Sequence, residues 1–351
     1  MRTILNDRHS LHQGRFEMFR GELVPCFEKP DRVDHVLAEL QRRALGPVEA
    51  PDAFDEALLA QVHDARYLAF LAGAWDEWVA LDAANAQHDV LPSYWPAPGM
   101  RRDVVPERFA ARLGLYCFDA GSPLMAGTWD AARHGAACAW TAAQRVLGGE
   151  RAAFALTRPP GHHAGADFFG GYCFLNNAAV AAQALLSSGG GGAARVAVLD
   201  VDYHHGNGTQ AIFYARGDVH VASLHGDPRN DYPYYLGHAD ERGEGAGRGF
   251  NHNLPLPRGT GFDAWRDALA EALAGIAAAG AQALVVSLGV DTFEGDPISG
   301  FRLASADYLR VGEQIARAGL PTVFVFEGGY AVAEIGINAV NVLEGFAQRA
   351  G

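Results

Sequence analysis

The chain of 351 residues contains 49% hydrophobic and 20% charged side chains, a balance that is typical of a folded globular protein and excludes a disordered one. Its formal net charge is −13, and its basic residues are scattered in runs no longer than a pair such as Arg42-Arg43, which argues against nucleic-acid binding. The negative charge would attract a small cationic substrate, although an acidic enzyme without such a substrate has the same composition.

Short β-branched and apolar runs alternate along the chain with Ala-rich stretches of helical periodicity. This alternation predicts βαβ units that build a parallel sheet. In chain order, the predicted strands are 1–6, 153–157, 196–202, 219–224, 284–288 and 322–326. The predicted helices are 31–45, 64–81, 128–147, 177–186, 262–278, 304–318 and 333–348. We therefore expect a single α/β domain over residues 1–351, with a central, mostly parallel sheet flanked by helices on both faces.

Two segments lack this pattern. Residues 187–194 (SSGGGGAA) are rich in Gly and Ser, which supply no packing, so we expect a surface connector between a helix and the strand that follows. Residues 94–126 contain Pro, Arg and aromatic residues without periodicity. They predict a long inserted loop at about 90–126, and loops of this length commonly serve specificity or an interface.

The four cysteines are far apart and form no CxxC pair, so neither a thiolate metal site nor a disulfide framework is indicated. They are Cys26, Cys117, Cys138 and Cys173. The N-terminus has no apolar core of a signal peptide, and no apolar run reaches membrane-spanning length. We therefore expect a cytoplasmic protein with no membrane partner.

Polar residues follow four of the predicted strands. They are RPPGHHAG at 158–165, DVDYHHGNG at 200–208, GVDTFEGDP at 289–297 and EGGY at 327–330. Ligands of open α/β sheets bind at the carboxyl ends of the strands. These four segments are therefore the first candidates for a functional site.

Asp202 and His204 are two residues apart, so at the end of an extended strand their side chains point to the same side. Asp291, from another strand end, can complete a set of three ligands. Two carboxylates and one imidazole leave a coordination position for water, which is the arrangement of a catalytic zinc-type site. Alternatively, an Asp-x-His pair caps a strand and bonds to loop backbone.

His162 and His163 follow two prolines, which restrict the backbone and fix the direction of the imidazoles. A histidine beside a bound water can act as a general base, although a histidine pair in a loop can also be only a solvated polar site. Tyr330 follows two glycines. Its hydroxyl can stabilise an oxyanion, or its ring can simply pack against the glycine turn.

Together these segments resemble the histone deacetylase superfamily, in the order and near the spacing of its motifs. The similarity covers nearly the whole chain and is greatest to the bacterial acetylpolyamine amidohydrolases. The matching motifs are GELVP, VHDARYL, RPPGHHA, FGGYCFLNNAAVAA, DVDYHHGNGTQ, SLHGDP, SLGVDTFEGDP and EGGY. The resemblance implies the arginase/deacetylase fold and a metal-dependent hydrolase that removes acetyl groups from amines.

The resemblance also implies a role for each site residue. The metal, zinc or alternatively ferrous iron, would be held by Asp202, His204 and Asp291. The catalytic groups would be His162, His163 and Tyr330, with His162 held by Asp200 and His163 oriented by Asn207. His163 would take the proton of the attacking water and pass it to the leaving amine, while Tyr330 would donate to the oxyanion.

The substrate-binding residues implied by the resemblance surround a tunnel. The Gly171 backbone would accept a hydrogen bond from the substrate amide, Tyr172 and Tyr232 would form the tunnel walls, and Glu17 and Asp119 would bind the amine. The inserted loop would narrow the tunnel and form a homodimer. Acetylated polyamines are the substrates we expect first. An acetyl-lysine side chain or another small amide is an alternative substrate, because residues 111–127 contain few acidic groups that could bind a polyamine.

The resemblance further implies two structural potassium sites. The first would use Asp200, Ser223 and Leu224 together with backbone oxygens of Asp202 and His204. The second would use the backbone carbonyls of Phe213, Arg216 and Val219.

Three other functions are compatible with parts of the pattern. An arginase-like ureohydrolase needs a second metal, but the residues after His204 read His205-Gly206-Asn207 and include no bridging Asp. A non-catalytic sensor of acetylated ligands would not need both His163 and Tyr330. A chromatin-bound deacetylase is disfavoured by the acidic charge.

Overall fold

The computed structural model describes residues 1–186 and 192–350. Ten strands alternate with helices over these residues. The strands are β1 (Arg2–Leu5), β2 (Phe16–Phe19), β3 (Glu22–Pro25), β4 (Val48–Glu49), β5 (Ala152–Leu156), β6 (Val196–Asp200), β7 (Val219–Gly226), β8 (Asn251–Leu256), β9 (Ala283–Leu288) and β10 (Thr322–Phe326).

The α-helices of the described residues are α1 (Asp31–Arg43), α2 (Ala65–Leu81), α3 (Phe109–Tyr116), α4 (Thr128–Leu147), α5 (Asn177–Leu186), α6 (Asn207–Phe213), α7 (Phe262–Ala279), α8 (Asp307–Ala316) and α9 (Val332–Ala350). Short 3₁₀ turns occupy His9–Leu11, Glu56–Gln61, Ala83–Gln87 and Gly245–Gly247. No helix in the described part of the chain is long and apolar enough to cross a membrane.

Eight strands form one sheet in the order β4-β1-β5-β10-β9-β6-β7-β8, and every pair in it is parallel. Strands β2 and β3 form a separate antiparallel hairpin. The expected α/β domain with a mainly parallel central sheet is confirmed.

Helices cover both faces of the sheet because side chains alternate along each strand. In β5, Phe154 and Leu156 belong to the apolar cluster beneath α1, α7, α8 and α9, whereas Ala153 and Ala155 belong to the opposite cluster beneath α2, α3, α4 and α5. All four side chains are 0% exposed. Because these alanines are small, α4 and α5 can pack close to that face, and both helices are themselves rich in Ala.

The order of the strands explains the position of the functional site. Strands β5, β10, β9 and β6 are neighbours, and since they run parallel, their carboxyl ends share one edge. These four strands precede the four polar segments found in the sequence. The fold therefore gathers the four polar segments at one rim, although they are spread along the chain between residues 158 and 330.

The observed elements differ from the predicted ones in several places. Strand β6 ends at Asp200 because its Oδ1 accepts the Asp202 N–H at 3.1 Å and turns the chain. Helix α3 lies within the segment predicted to be an irregular loop, and β4, β8, α6 and the β2-β3 hairpin were not predicted. Helix α8 begins at Asp307, whose carboxylate accepts the Ala304 N–H. A surface connector was expected at 187–194, and residues 187–191 of this segment lie outside the described part of the chain.

Candidate active site

A compact cluster of two carboxylates and one imidazole lies at the carboxyl ends of β6 and β9. His204 Nδ1 lies 2.9 Å from Asp291 Oδ2 and 3.4 Å from Asp202 Oδ1. One ligand atom from each residue falls within 4.8 Å of the others. All three side chains are buried. The sequence prediction that Asp202, His204 and Asp291 converge agrees with this geometry.

The remaining oxygen of each carboxylate is held by backbone. Asp202 Oδ2 accepts the Gly328 N–H at 2.8 Å, and Asp291 Oδ1 accepts the Tyr203 N–H at 2.7 Å. A Cβ at Gly289 would lie 2.0 Å from Asp202 Oδ2, so the backbone approaches this carboxylate as only glycine allows. These contacts fix the cluster before any ligand binds.

The cluster fits a divalent cation. Burial, followed by the charge of Asp202, raises the pKa of Asp291 to about 8, since a second negative charge is unfavourable there. A divalent ion among these atoms would offset both carboxylates. Two oxygen ligands and one nitrogen ligand suit zinc, and ferrous iron accepts the same donors.

The loop that carries the tandem histidines is fixed to β10 by Glu327. The Gly161 and His162 N–H groups donate to Glu327 Oε2 at 2.6 Å and 3.2 Å. Glu327 is fully buried, and this burial raises its pKa to about 7. Its bonds to the loop align the two imidazoles beside the Asp202 cluster.

The two imidazoles have different partners. His162 Nδ1 lies 3.0 Å from Asp200 Oδ2, and His163 Nδ1 lies 2.6 Å from Asn207 Oδ1. The Asn207 carbonyl oxygen can only accept, so Nδ1 of His163 carries the proton and Nε2 is left with a lone pair. Burial and the nearby His162 lower the pKa of His163 well below its usual value, which favours the neutral ring.

The ring of Tyr330 is edge-on to that of Tyr172, with 5.5 Å between the centroids. Its backbone N–H donates to Asp296 at 2.7 Å. The guanidinium of Arg32 lies 4.8 Å from the centre of the Tyr330 ring and donates to the Gly329 carbonyl at 2.7 Å. The glycine turn therefore directs the tyrosine side chain and is itself held in place.

A cavity of about 760 Å³ opens onto the cluster, and His163, His204 and Tyr330 line its inner end. Tyr172 and Tyr232 also line it, and their expected role as tunnel walls stays a prediction.

Gly171 lies between these walls with a φ of +55°. A Cβ there would approach His163 Cδ2 to 2.2 Å. Position 171 therefore requires glycine, both for the backbone conformation and for the space beside the His163 ring.

Asp119 lines the same cavity and bonds to its neighbouring residues. Its Oδ2 accepts the Tyr232 hydroxyl and the Gly171 N–H, both at 2.8 Å, and its Oδ1 accepts the Gly121 N–H at 3.1 Å. These bonds make Asp119 a positioning residue for the tunnel. Its expected role in contacting the amine stays a prediction.

Glu17 reaches the cavity from strand β2. Its Oε1 accepts the Tyr172 hydroxyl at 2.8 Å, and its Oε2 accepts the Phe27 N–H at 3.2 Å. Burial raises the pKa of Glu17 to about 7. A carboxyl group therefore stands at the cavity wall, and its charge changes near neutral pH.

The first set of residues expected to bind potassium lies next to the Asp202 cluster. Asp200 and Ser223 are opposite each other on β6 and β7, and Leu224 follows on β7. The second set lies in the turn between α6 and β7, where the Phe213 carbonyl accepts the Arg216 N–H at 2.9 Å and Val219 begins the strand. Potassium at either place stays a prediction.

The sequence analysis did not identify a buried cluster of charged side chains that contacts the site. Glu28 Oε1 accepts from Arg32 Nη1 and from Arg158 Nε, both at 2.7 Å, and all three side chains are buried. Arg32 also donates to the Glu327 carbonyl at 2.5 Å. Arg158 and Glu327 each begin a polar segment after a strand, a signal that could have identified them. Arg32 lies in the first turn of α1 and Glu28 just before this helix, where no such signal exists.

A parallel sheet whose strand ends carry a buried Asp-His-Asp cluster beside two histidines and a tyrosine defines a metal-dependent hydrolase. Residues 26–346 match the family described as "Histone deacetylase domain". The chain belongs to the histone deacetylase family and is a hydrolase of amide C–N bonds. The resemblance inferred from the sequence motifs is confirmed.

Two relatives match along nearly their whole length. The chain is 56% identical over 347 residues to acetylpolyamine amidohydrolase 1 of Pseudomonas aeruginosa, covering 99% of both chains. It is 49% identical over 349 residues to acetylpolyamine amidohydrolase of Mycoplana ramosa, covering 99% of this chain and 100% of that protein.

Solved structures agree with the fold. The acetylpolyamine aminohydrolase from Burkholderia pseudomallei superimposes with a TM-score of 0.94 at 40% identity, covering 100% of both chains. The HDA15 HD domain superimposes with a TM-score of 0.78 at 26% identity, covering 99% of this chain and 89% of that one.

Proposed function

We propose that the chain removes the acetyl group from N-acetylated amines, with acetylpolyamines such as acetylputrescine, acetylcadaverine and acetylspermidine as its substrates. The observation that carries the proposal is the convergence of Asp202, His204 and Asp291 at the end of a tunnel lined by His163 and Tyr330. The names of the full-length relatives support the polyamine assignment.

A zinc-type ion at the Asp-His-Asp cluster would polarise the acetyl carbonyl and lower the pKa of a water molecule. His163 Nε2, which faces the cavity as a lone pair, would take the proton of the attacking water. The same nitrogen would then return the proton to the leaving amine. His162, held by Asp200, would contribute positive charge beside the reacting atoms, because the neighbouring carboxylates counter its burial and raise its pKa to about 10.

Tyr330 would donate its hydroxyl proton in a hydrogen bond to the oxyanion that forms at the former carbonyl. The Gly171 carbonyl would accept the N–H of the substrate amide and set its orientation. Tyr172 and Tyr232 would enclose the alkyl chain and exclude water, with Asp119 fixing the position of Tyr232.

The free amine of the substrate would meet Glu17 at the cavity wall. The formal net charge of −13 adds a field that attracts polyamine cations. The two potassium ions would stabilise the loops around Asp200 and Val219. Four free cysteines suit a reaction in the reducing cytoplasm.

We also infer that two copies of the chain pair through the inserted loop. Within this loop Tyr94, Trp95, Met100 and Val104 are at least 44% exposed, which supports an apolar contact surface. Pairing would narrow the route to the tunnel and favour small substrates over folded proteins.

The experiment that tests the proposed function is an acetate-release screen of purified protein, with and without chelator. The substrates are acetylputrescine, acetylcadaverine, acetylspermidine and acetyl-lysine peptides. We expect chelator-sensitive release with the highest kcat/KM on the acetylpolyamines. Activity on the peptides alone would refute the substrate assignment, and no acetate release from any of them would refute the deacetylase mechanism.

A further inference from the structure

Two histidines lie near the amino ends of their strands, whereas the active site lies at the carboxyl ends. His220 lies on β7 and His252 on β8, and the register places Ala222 opposite His252. Because side chains alternate along a strand, His220, Ala222 and His252 share one face. That face is covered by α7.

The two imidazoles converge above Gly275 of α7. A Cβ at Gly275 would lie 3.1 Å from His252 Nδ1 and 3.6 Å from His220 Nε2, and a nitrogen is the nearest atom of each ring. The missing side chain therefore leaves a small space towards which both nitrogens are directed.

His220 lacks the partners that a buried imidazole normally has. Its side chain is 4% exposed, and within the described residues neither ring nitrogen has a hydrogen-bond partner. Buried polar atoms are nearly always paired, and an unpaired one in a native protein calls for a partner such as a water molecule or an ion. Burial lowers the pKa of His220 to about 4, so the ring is neutral at physiological pH and can coordinate a metal.

His252 is oriented by a carboxylate. Glu271, one helical turn before Gly275, accepts a hydrogen bond from His252 Nε2 at 3.2 Å. With the proton on Nε2, the lone pair of Nδ1 points towards Gly275. A carboxylate that fixes the tautomer in this way is the usual outer partner of a metal-binding histidine.

The space is open to solvent on one side. It belongs to a cavity of about 350 Å³ whose lining includes Phe250 and the exposed Arg242. The nearby Arg195 donates to the Ala279 carbonyl at the end of α7, which holds its guanidinium at that carbonyl. Water can therefore reach the two nitrogens and complete a coordination sphere.

We propose that His220 and His252 bind a divalent first-row transition metal, of the class that prefers imidazole, at a second site between β7, β8 and α7. Nickel, copper and zinc belong to this class. The ion would be structural, since two protein ligands on neighbouring strands would tie the edge of the sheet together beneath α7.

Nickel binding to enzyme prepared with one zinc per chain tests this site, because the three-ligand active-site cluster then holds the zinc and the two-histidine site can take up nickel. Zinc and nickel are both counted per chain after equilibrium dialysis, in a buffer that contains potassium. We expect one nickel to be taken up with no loss of zinc, together with a rise in Tm. Displacement of zinc without additional metal would overturn the proposal.

Two variants locate the nickel. His252→Gln removes one ligand, and Gly275→Ala fills the space between the nitrogens, so each should weaken nickel binding at least about tenfold and abolish the rise in Tm. His35→Gln, at an exposed histidine of α1, is the matched control and should bind nickel like the natural chain. Acetate release by the zinc-loaded variants verifies that they are folded. Nickel bound equally by both site variants and the control would refute the assignment.

Discussion

The two adjacent histidines differ in the group that each one bonds through Nδ1. The carboxylate of Asp200 favours a positively charged ring at His162, whereas the amide oxygen of Asn207 favours a neutral ring at His163. A base must begin the reaction without a proton on the nitrogen that faces the substrate. His163 therefore suits proton transfer, and His162 suits the supply of charge.

Tyr330→Phe removes the hydroxyl proposed to stabilise the oxyanion. We expect kcat to fall about 100- to 1000-fold, because a buried donor to an oxyanion acts mainly in the transition state. The measurement is steady-state acetate release, with the metal content determined in parallel and expected to stay unchanged.

Tyr235→Phe is the control for this change, since Tyr235 lies at the rim of the same cavity and is 90% exposed. Its turnover should stay close to that of the natural chain. An equal loss in both variants, or full activity of Tyr330→Phe, would contradict the role given to Tyr330.

Glu17 gives the affinity for cationic substrates a defined dependence on pH. Its carboxyl group is neutral below its pKa of about 7 and charged above it, so attraction for an ammonium group appears as the pH rises through 7. We expect KM for acetylputrescine to fall about fivefold from about pH 6 to about pH 8, an effect on the order of 1 kcal/mol. The groups that face Glu17 are Tyr172, Asp119, Glu28 and Cys26.

The control separates Glu17 from other titrating groups. An uncharged N-acetylated alkylamine of the same length should show little of this change in KM. In the Glu17→Gln variant the KM for acetylputrescine should be high and nearly independent of pH. A pH profile that is the same for both substrates would show that Glu17 does not bind the amine.

At the scale of elements, one buried acidic residue connects α1 with the loop that carries His162 and His163. Glu28 bonds Arg32 of α1 and Arg158 at the start of the histidine loop. Arg32 in turn holds the carbonyls of Glu327 and Gly329 at the end of β10. The geometry of His162 and Tyr330 thus depends on a charged group below the cavity.

Glu28→Gln leaves two buried guanidinium groups with no countercharge. We expect the free energy of unfolding to fall by about 3–5 kcal/mol, the usual cost of removing one partner of a buried ion pair. Urea denaturation measures this change. Glu22→Gln, at an exposed position of the β2-β3 hairpin, should have almost no effect, and a similar small effect of Glu28→Gln would contradict the argument.

The sequence predicts the elements that form the core and most of the site, because these depend on local patterns. The β5, β6, β9 and β10 strands are short apolar runs, and the residues after them could be assigned to one rim by the geometry of parallel sheets. Strand β8 was missed because Asn251 and Asn253 alternate in it with half-buried residues, which does not resemble a buried strand. Glu28 was missed because its importance arises from contacts with residues 130 positions away, as in its bond to Arg158.

At the scale of the whole molecule, the ion at the active site should contribute to folding. The carboxylates of Asp202 and Asp291 are completely buried and repel each other when both are charged. We expect a chelator to abolish acetate release and to lower Tm by several degrees, and added zinc to restore both. Differential scanning fluorimetry measures Tm, and an unchanged Tm after verified metal loss would contradict this prediction.

The proposed dimer predicts a second property of the whole molecule. Met100 is 64% exposed in the inserted loop, and Met100→Asp should weaken the dimer by placing a charge in an apolar interface. Light scattering at several protein concentrations measures the mass. Ile337→Asp changes an exposed apolar residue of α9 and should leave the mass unchanged. A natural chain that is monomeric at all concentrations would refute the dimer.

The central position of β10 in the sheet affects how the protein is made. This strand is inserted between β5 and β9, although residues 152–156 and 322–326 are far apart in the chain. A ribosome that has added residue 291 has therefore produced β5, β6, β9 and the three proposed metal ligands but not the strand that joins the two halves of the sheet. Productive capture of the ion must wait until residue 330 has left the exit tunnel, and until then the apolar edges of β5 and β9 need protection from other nascent chains.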